Sequence, residues 1–262
     1  MLKIGVFDSG LGGLTVVQAL SQVIKGAELF YIADTKNAPY GEKTTEQILQ
    51  YSLDITQYFI DTYHIDALII ACNTATSAAI KVLRDTYPEL IIIGTEPGIK
   101  PALEQTKTGK VGVLATPATL KGDKYQQLAT TLAIQKNVTL FEQACPGLVE
   151  QIEKGEIKSL KTKEMLEKWL SPMRENDVDT IVLGCTHYPL VCDMIEEVMA
   201  RGLNLIHTGE AIAQHLLTLA EKKMHTNRGE LKINLYYTGT LNQEIVNTLL
   251  PNTQTISYIK IS

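Results

Sequence analysis

Two segments of this 262-residue chain repeat one another at a separation of 113 residues. Asp66-Ala67-Leu68-Ile69-Ile70-Ala71-Cys72-Asn73-Thr74 is matched by Asp179-Thr180-Ile181-Val182-Leu183-Gly184-Cys185-Thr186-His187. In each, an aspartate precedes a run of mostly branched apolar residues, followed by a small residue, a cysteine and polar groups. An apolar run of this length reads as a strand buried on both faces, the kind that parallel sheets contain. The cysteine then stands at the carboxyl end of its strand, where open α/β sheets place their ligand sites. Two matched thiols at two matched strand ends suggest a site that needs one acid/base on each side of something.

The echo is part of a longer one. Lys3 to Leu14 aligns with Lys110 to Lys121 at an offset of 107, and Gly94 to Lys100 resembles His207 to Ala213 at an offset of about 113. Matches in the same order, with a small change of offset, favour a duplication with an insertion in one half. Strands are expected over Ile4–Phe7, Leu29–Ala33, Ala67–Ala71, Leu90–Ile93, Val111–Leu114, Thr139–Glu142 and Thr180–Leu183. Helices are expected over Leu14–Ser21, Thr44–Tyr63 (with Thr44 or Thr45 as N-cap), Thr76–Asp85, Thr162–Leu170 and Leu190–Met199, the last entered through Pro189. Strands alternating with helices give parallel sheets covered on both faces. The expected fold class is therefore α/β, with two similar parallel-sheet domains related by a pseudo-two-fold and an active site in the cleft between them. The first domain takes 1–97 plus 208–262, the second 98–207. The tail from Leu231 is expected to add strand and helix to the first half.

Composition narrows the function classes. A net charge of −5 leaves no basic footprint for nucleic acid. No apolar run approaches the roughly 18 residues of a membrane span, and Asp8 interrupts any signal-peptide core. Four cysteines in a chain this long do not make a disulfide framework, so a reducing, cytoplasmic setting is expected. Neither CxxC nor Cys/His metal spacing is present, and no metal is expected.

Several short motifs carry chemistry. Asp8-Ser9-Gly10 follows a strand and precedes a helix, without dinucleotide-type glycine spacing. Asp8 can accept from an ammonium or cap the turn, while Ser9 and nearby peptide N–H groups can bind a carboxylate. In the loop after the second strand, the peptides of Tyr40 and Gly41 can face a ligand carboxylate. Cys72 and Cys185 lie just before expected helices, whose N-termini favour an anion and lower a thiol pKa. Asn73, Thr74 and Thr186 offer hydrogen bonds to substrate, and His187 can polarise Cys185 or hold its proton. Cys145 and Cys192 lack this context and read as structural. Glu153 can assist acid/base work, although a surface glutamate is the commoner case.

Together, Asp8-Ser9-Gly10-Leu11-Gly12-Gly13, Ala38-Pro39-Tyr40-Gly41, Ala71-Cys72-Asn73-Thr74-Ala75, Glu96-Pro97 and Gly184-Cys185-Thr186-His187-Tyr188-Pro189 resemble the motifs of the glutamate racemases. The resemblance runs over essentially the whole chain, in the family's order. Thr76 departs from it, since a serine commonly follows that cysteine motif, but the hydroxyl is kept.

The resemblance implies a cofactor-independent isomerase that supplies D-glutamate for peptidoglycan. Cys72 would take the Cα proton of D-glutamate and Cys185 that of L-glutamate, each serving as acid in the other direction. It further implies that Asp8 tunes Cys72, that His187 tunes Cys185, and that substrate binding closes the cleft. The expected partner is glutamate, with no nucleic acid and no membrane; a homodimer remains open. Competing readings are a racemase of aspartate or another amino acid, a cysteine amidase using Cys185 and His187, and a non-catalytic binding module.

Overall fold

The structure, a computed structural model, describes residues 1–250 and 255–261, apart from the side chain of Lys124. Its strands are β1 (Leu2–Asp8), β2 (Ala27–Ala33), β3 (Ala67–Ile70), β4 (Ile91–Gly94), β5 (Lys110–Ala115), β6 (Thr139–Ala144), β7 (Thr180–Gly184), β8 (Asn204–Ile206), β9 (Leu231–Tyr237) and β10 (Thr255–Tyr258). They form two sheets, ordered β10-β9-β2-β1-β3-β4 and β6-β5-β7-β8. Every pairing is parallel. The chain divides into two compact units, Met1–Thr95 with Thr208–Ser262, and Glu96–His207.

The duplication is visible in the strand register. In the first unit Ile4 pairs with Ala67, and Ala67 with Ile91. In the second, Val111 pairs with Thr180, and Thr180 with Asn204. These partners are related by the offsets of 107 and 113 in the sequence. The order β2-β1-β3-β4 is thus repeated, residue against residue, as β6-β5-β7-β8. The two units differ at one edge: β6 is an edge strand, whereas β2 is covered by β9, formed from the tail beyond Leu231. All residues of β3 and β7 are buried, which accounts for their unbroken apolar character.

The aspartates that open the echoed segments have a shared structural task. Asp66 Oδ2 accepts from the Lys3 N–H at 2.8 Å, tying the start of β1 to β3. Asp179 does the same before β5, accepting from Thr106 Oγ1 (2.6 Å) and the N–H groups of Lys107 (2.7 Å) and Thr108 (3.0 Å). Partial burial opposes ionisation of Asp179, but these hydrogen bonds outweigh it and hold the carboxyl below its usual range. A depressed carboxyl stabilises the fold above its unfolded pKa of about 3.9, and that contribution is lost as pH falls through the folded value. Asp179→Asn is expected to cost about 1 kcal/mol at neutral pH, after allowance for solvent screening. In urea titrations the difference between the two proteins should shrink below about pH 4. A difference unchanged down to acid pH would contradict this role.

Helix boundaries follow local chemistry. Thr44 caps Thr45–Tyr63 in a reciprocal capping box with Gln47. The helix after β3 spans Asn73–Thr86, starting before the expected Thr76 because Cys72 itself serves as the N-cap. The expected Leu190–Met199 helix is a 3₁₀ turn, Tyr188–Val191, leading into an α-helix at Cys192–Met199. Pro189 lies in that turn. No helix among the described residues is long and apolar enough to cross a membrane.

Candidate active site

The candidate residues of the first unit gather at the carboxyl ends of β1, β2 and β3. Asp8 closes β1 and is fully buried; its Oδ2 accepts from the N–H groups of Gly10 (3.2 Å) and Gly13 (3.0 Å). It therefore does cap the turn, holding the glycine loop in place beside Ser9. Cys72 is 5% exposed, and its Sγ accepts from the Ala75 N–H at 3.4 Å. The sulfur thus caps a 14-residue helix, at the end where the helix dipole presents its positive pole. Ser9 Oγ lies 4.0 Å from that sulfur.

Behind the thiol, buried hydroxyls and amides brace the strand ends. Asn73 Nδ2 donates to the Thr95 carbonyl (3.1 Å). Thr76 Oγ1 donates to the Ile70 carbonyl (3.2 Å) and accepts from the Thr95 N–H (2.9 Å). The hydroxyl kept at position 76 thus joins β3 to the segment after β4. Thr74 is buried in the first turn of the helix. The Tyr40 side chain is buried as well, and its phenol donates to Asp34 Oδ2 at 2.6 Å. Tyr40 and Gly41 lie in a 3₁₀ turn, Tyr40–Glu42.

The second unit builds its thiol environment differently. Cys185 follows β7 directly but does not cap an α-helix, contrary to the expectation that both cysteines do. Its carbonyl accepts from the Tyr188 N–H (3.1 Å) and the chain then enters the 3₁₀ turn, so the α-helical N-terminus falls at Cys192. In place of a helix dipole, Cys185 Sγ lies 3.7 Å from His187 Nδ1, and His187 Nε2 lies 2.6 Å from Glu153 Oε1. His187 is 1% exposed. In this thiol–imidazole–carboxylate line the carboxylate fixes the orientation of the ring beside the sulfur. Glu153, at the end of the helix Leu148–Glu153, is thereby drawn into the group rather than left as an unpartnered surface side chain. Thr186 is buried beside the cysteine.

Two residues of this end of the second sheet escaped the sequence reading. Thr116 and Thr119 are buried just beyond β5, their hydroxyls 3.0 Å apart, with Thr116 capping the helix Pro117–Lys121. Thr116 stands at the 107-residue offset from Ser9, so the repeat itself was the signal that marked it.

The other cysteines are placed differently: Cys145 follows β6, and Cys192 is the first residue of the helix Cys192–Met199. Burial, then the charge of Cys185, pushes the Cys145 thiol well up. Cys192 is pushed up to about 11, by burial and by Glu196 and Asp193. The thiolate is the nucleophile, so a raised pKa suppresses alkylation near pH 8 and lets it rise as pH climbs. Peptide mapping after brief iodoacetamide treatment is expected to find Cys192 essentially unmodified near pH 8 and increasingly modified toward pH 11. Rapid labelling of Cys192 at the lower pH would contradict the raised thiol.

The family model for Asp/Glu/hydantoin racemases matches residues 4–216. A glutamate racemase of Sulfurovum sp. is 68% identical over 260 residues, covering 99% of this chain and 98% of that protein. The chain belongs to the glutamate racemase family. A second relative, the glutamate racemase of Aliarcobacter butzleri, is 59% identical over 96% of each chain. The fold agrees as well: a glutamate racemase isoform of Bacillus anthracis superposes with a TM-score of 0.87 at 28% identity, covering 99% of this chain and 98% of the other. The Escherichia coli glutamate racemase, solved with L-glutamate and the activator UDP-MurNAc-Ala, gives 0.87 at 27% identity, with 100% and 99% covered. As a member of the glutamate racemase family the chain is an isomerase.

Proposed function

We propose that the chain interconverts L- and D-glutamate by a two-base reaction without a cofactor, and that the D-glutamate serves peptidoglycan synthesis in the cytoplasm. The observation that carries this reading is the pair of cysteines just beyond equivalent strands of the two repeats, Cys72 with the Ala75 N–H against its sulfur and Cys185 with His187 beside it. Inversion at a carbon acid needs a base on one face of Cα and an acid on the other, and a single base would tend to return the proton to the side it left. Cys72 takes the proton from D-glutamate and Cys185 from L-glutamate; the opposite thiol delivers in each case.

The amino-acid Cα–H is a very weak acid, so the developing carbanion has to be stabilised by fixed dipoles in a site closed to water. Ser9, Asn73, Thr74, Thr186 and the peptides of Tyr40 and Gly41 supply those donors to the substrate carboxylates. Asp8 accepts from the substrate ammonium and tunes Cys72. His187, oriented by Glu153, carries or releases the proton of Cys185. The two repeats thus contribute like thiols with unlike activation, one by a helix N-terminus and one by an imidazole–carboxylate pair.

Circular dichroism of each glutamate enantiomer, incubated with the purified protein and no added cofactor, tests the reaction. Loss of optical activity from both enantiomers is expected, with aspartate turned over far more slowly. Failure with both glutamate enantiomers, or a requirement for pyridoxal phosphate, would overturn the proposal.

A further inference from the structure

The Tyr40–Gly41 turn is held in place by a part of the chain some 200 residues away. Asp34, immediately after β2, is 2% exposed, and its carboxylate gathers the loop around itself. Its Oδ2 accepts from the Tyr40 hydroxyl (2.6 Å) and from Asn37 Nδ2 (3.0 Å), while Oδ1 accepts from Thr238 Oγ1 (2.7 Å). The Asp34 N–H donates to the Asp8 carbonyl at 2.9 Å, which ties the same residue to the glycine loop. Thr238 follows β9, and its hydroxyl also accepts from the Lys36 N–H (3.1 Å). The next residue, Gly239, donates its N–H to Thr35 Oγ1 (2.9 Å).

Contact at Gly239 is backbone to backbone. A Cβ built there would lie 2.7 Å from the Lys36 nitrogen, 2.9 Å from the Thr35 carbonyl carbon and 3.0 Å from the Lys36 Cα. Those atoms cannot swing aside as a side chain can, so any residue but glycine pushes the loop. The second unit has no counterpart. At the position equivalent to Asp34 stands Cys145, whose N–H donates to the Ala115 carbonyl (3.0 Å) as that of Asp34 does to Asp8. There β6 is the edge of the sheet, and no further strand lies beside it among the described residues.

We propose that Asp34 is a positioning residue for the reaction, and that Thr238 and Gly239 latch it so that the Tyr40–Gly41 peptides are aimed at the substrate carboxylate. This rests on the reading of those peptides as substrate donors. The strand β9 is then more than an added edge: it sets the shape of a loop used in binding. Burial, and after it the Asp34 carboxylate, push the Tyr40 phenol well above its ordinary value, so the phenol stays a donor to Asp34 throughout the working pH range. A donor lost from a buried carboxylate loosens the loop without touching either thiol, and its effect falls on binding rather than on proton transfer.

Steady-state racemisation of both enantiomers by Thr238→Val, Thr238→Ser and Gly239→Ala, with urea unfolding of each, tests this. Thr238→Val is expected to raise KM for both enantiomers about tenfold, the loss of one hydrogen bond to a charged group, with kcat within about threefold of wild type. Thr238→Ser should restore the wild-type KM, and Gly239→Ala should raise it as Thr238→Val does. KM values within about twofold of wild type in Thr238→Val and Gly239→Ala, or a serine variant no better than valine, would overturn the latch. Should Thr238→Val fail to fold, the KM of Gly239→Ala decides the matter in the same way. An inactive wild-type protein would instead overturn the proposed reaction, and an active one with unmoved KM values only the latch.

Discussion

Replacing Cys72 or Cys185 by serine is expected to slow racemisation about 10³–10⁴-fold, the loss of one positioned acid/base. A serine hydroxyl occupies nearly the same space but ionises far less readily than a thiol, so the geometry survives and the proton transfer does not. The two variants should differ in what they retain. With Cys185 intact, Cys72→Ser can still draw the Cα proton from L-glutamate and return a solvent-exchanged one to the same face. With Cys72 intact, Cys185→Ser should do so with D-glutamate. Incubation in D₂O followed by NMR is therefore expected to show deuterium entering one enantiomer without inversion, a different enantiomer in each variant. Racemisation persisting near the wild-type rate in either variant would rule out that cysteine as an obligatory base.

The second large effect concerns the relay behind Cys185. His187→Asn is expected to lower kcat/KM about 10²-fold and Glu153→Gln about tenfold, because the first removes the proton carrier and the second only its orientation. The two enantiomers have equal free energy, so the loss in kcat/KM must be the same in both directions and cannot by itself show which thiol is affected. Alkylation can. His187 Nδ1 is 3.7 Å from Cys185 Sγ, whereas Cys72 Sγ accepts from the Ala75 N–H. Iodoacetamide labelling of Cys185 should slow in both variants while that of Cys72 is unchanged. Equal changes at the two thiols would point to a general disturbance rather than a relay.

Much of this architecture was legible because parallel strands leave strong marks. The buried runs before Cys72 and Cys185 mapped onto β3 and β7, and the offsets of 107 and 113 reappeared as identical register in both sheets. Helix starts were harder. A cysteine is a rare N-cap, so the Asn73 start of the helix after β3 lay outside the usual Ser, Thr, Asp and Asn signals. On the other side, Pro189 was expected to lead straight into an α-helix from Leu190, but it lies in a 3₁₀ turn and the α-helical N-terminus falls at Cys192 instead.

The site was legible where chemistry was local. Cys185 and His187 are two residues apart, and their proximity could be read directly. Glu153 is a glutamate on an otherwise ordinary helix, and only the fold brings it to His187 across 34 positions. Asp34 and Thr238 are separated by 204 positions, so nothing in either neighbourhood could announce the bond between them. Thr116 is the intermediate case, since the repeat marks it through Ser9 although no local motif does. The two aspartates that open the echo were visible from the start, but their task of pinning the start of the neighbouring strand needed the register.

One measurement bears most directly on the two-thiol mechanism: the isotope content of both enantiomers at low conversion in D₂O, starting separately from L- and D-glutamate. Two acid/bases on opposite faces require that the newly formed enantiomer carry deuterium at Cα while the recovered starting enantiomer remains almost wholly protiated. Product that retains the original hydrogen, or deuterium appearing equally in substrate and product from the outset, would contradict it.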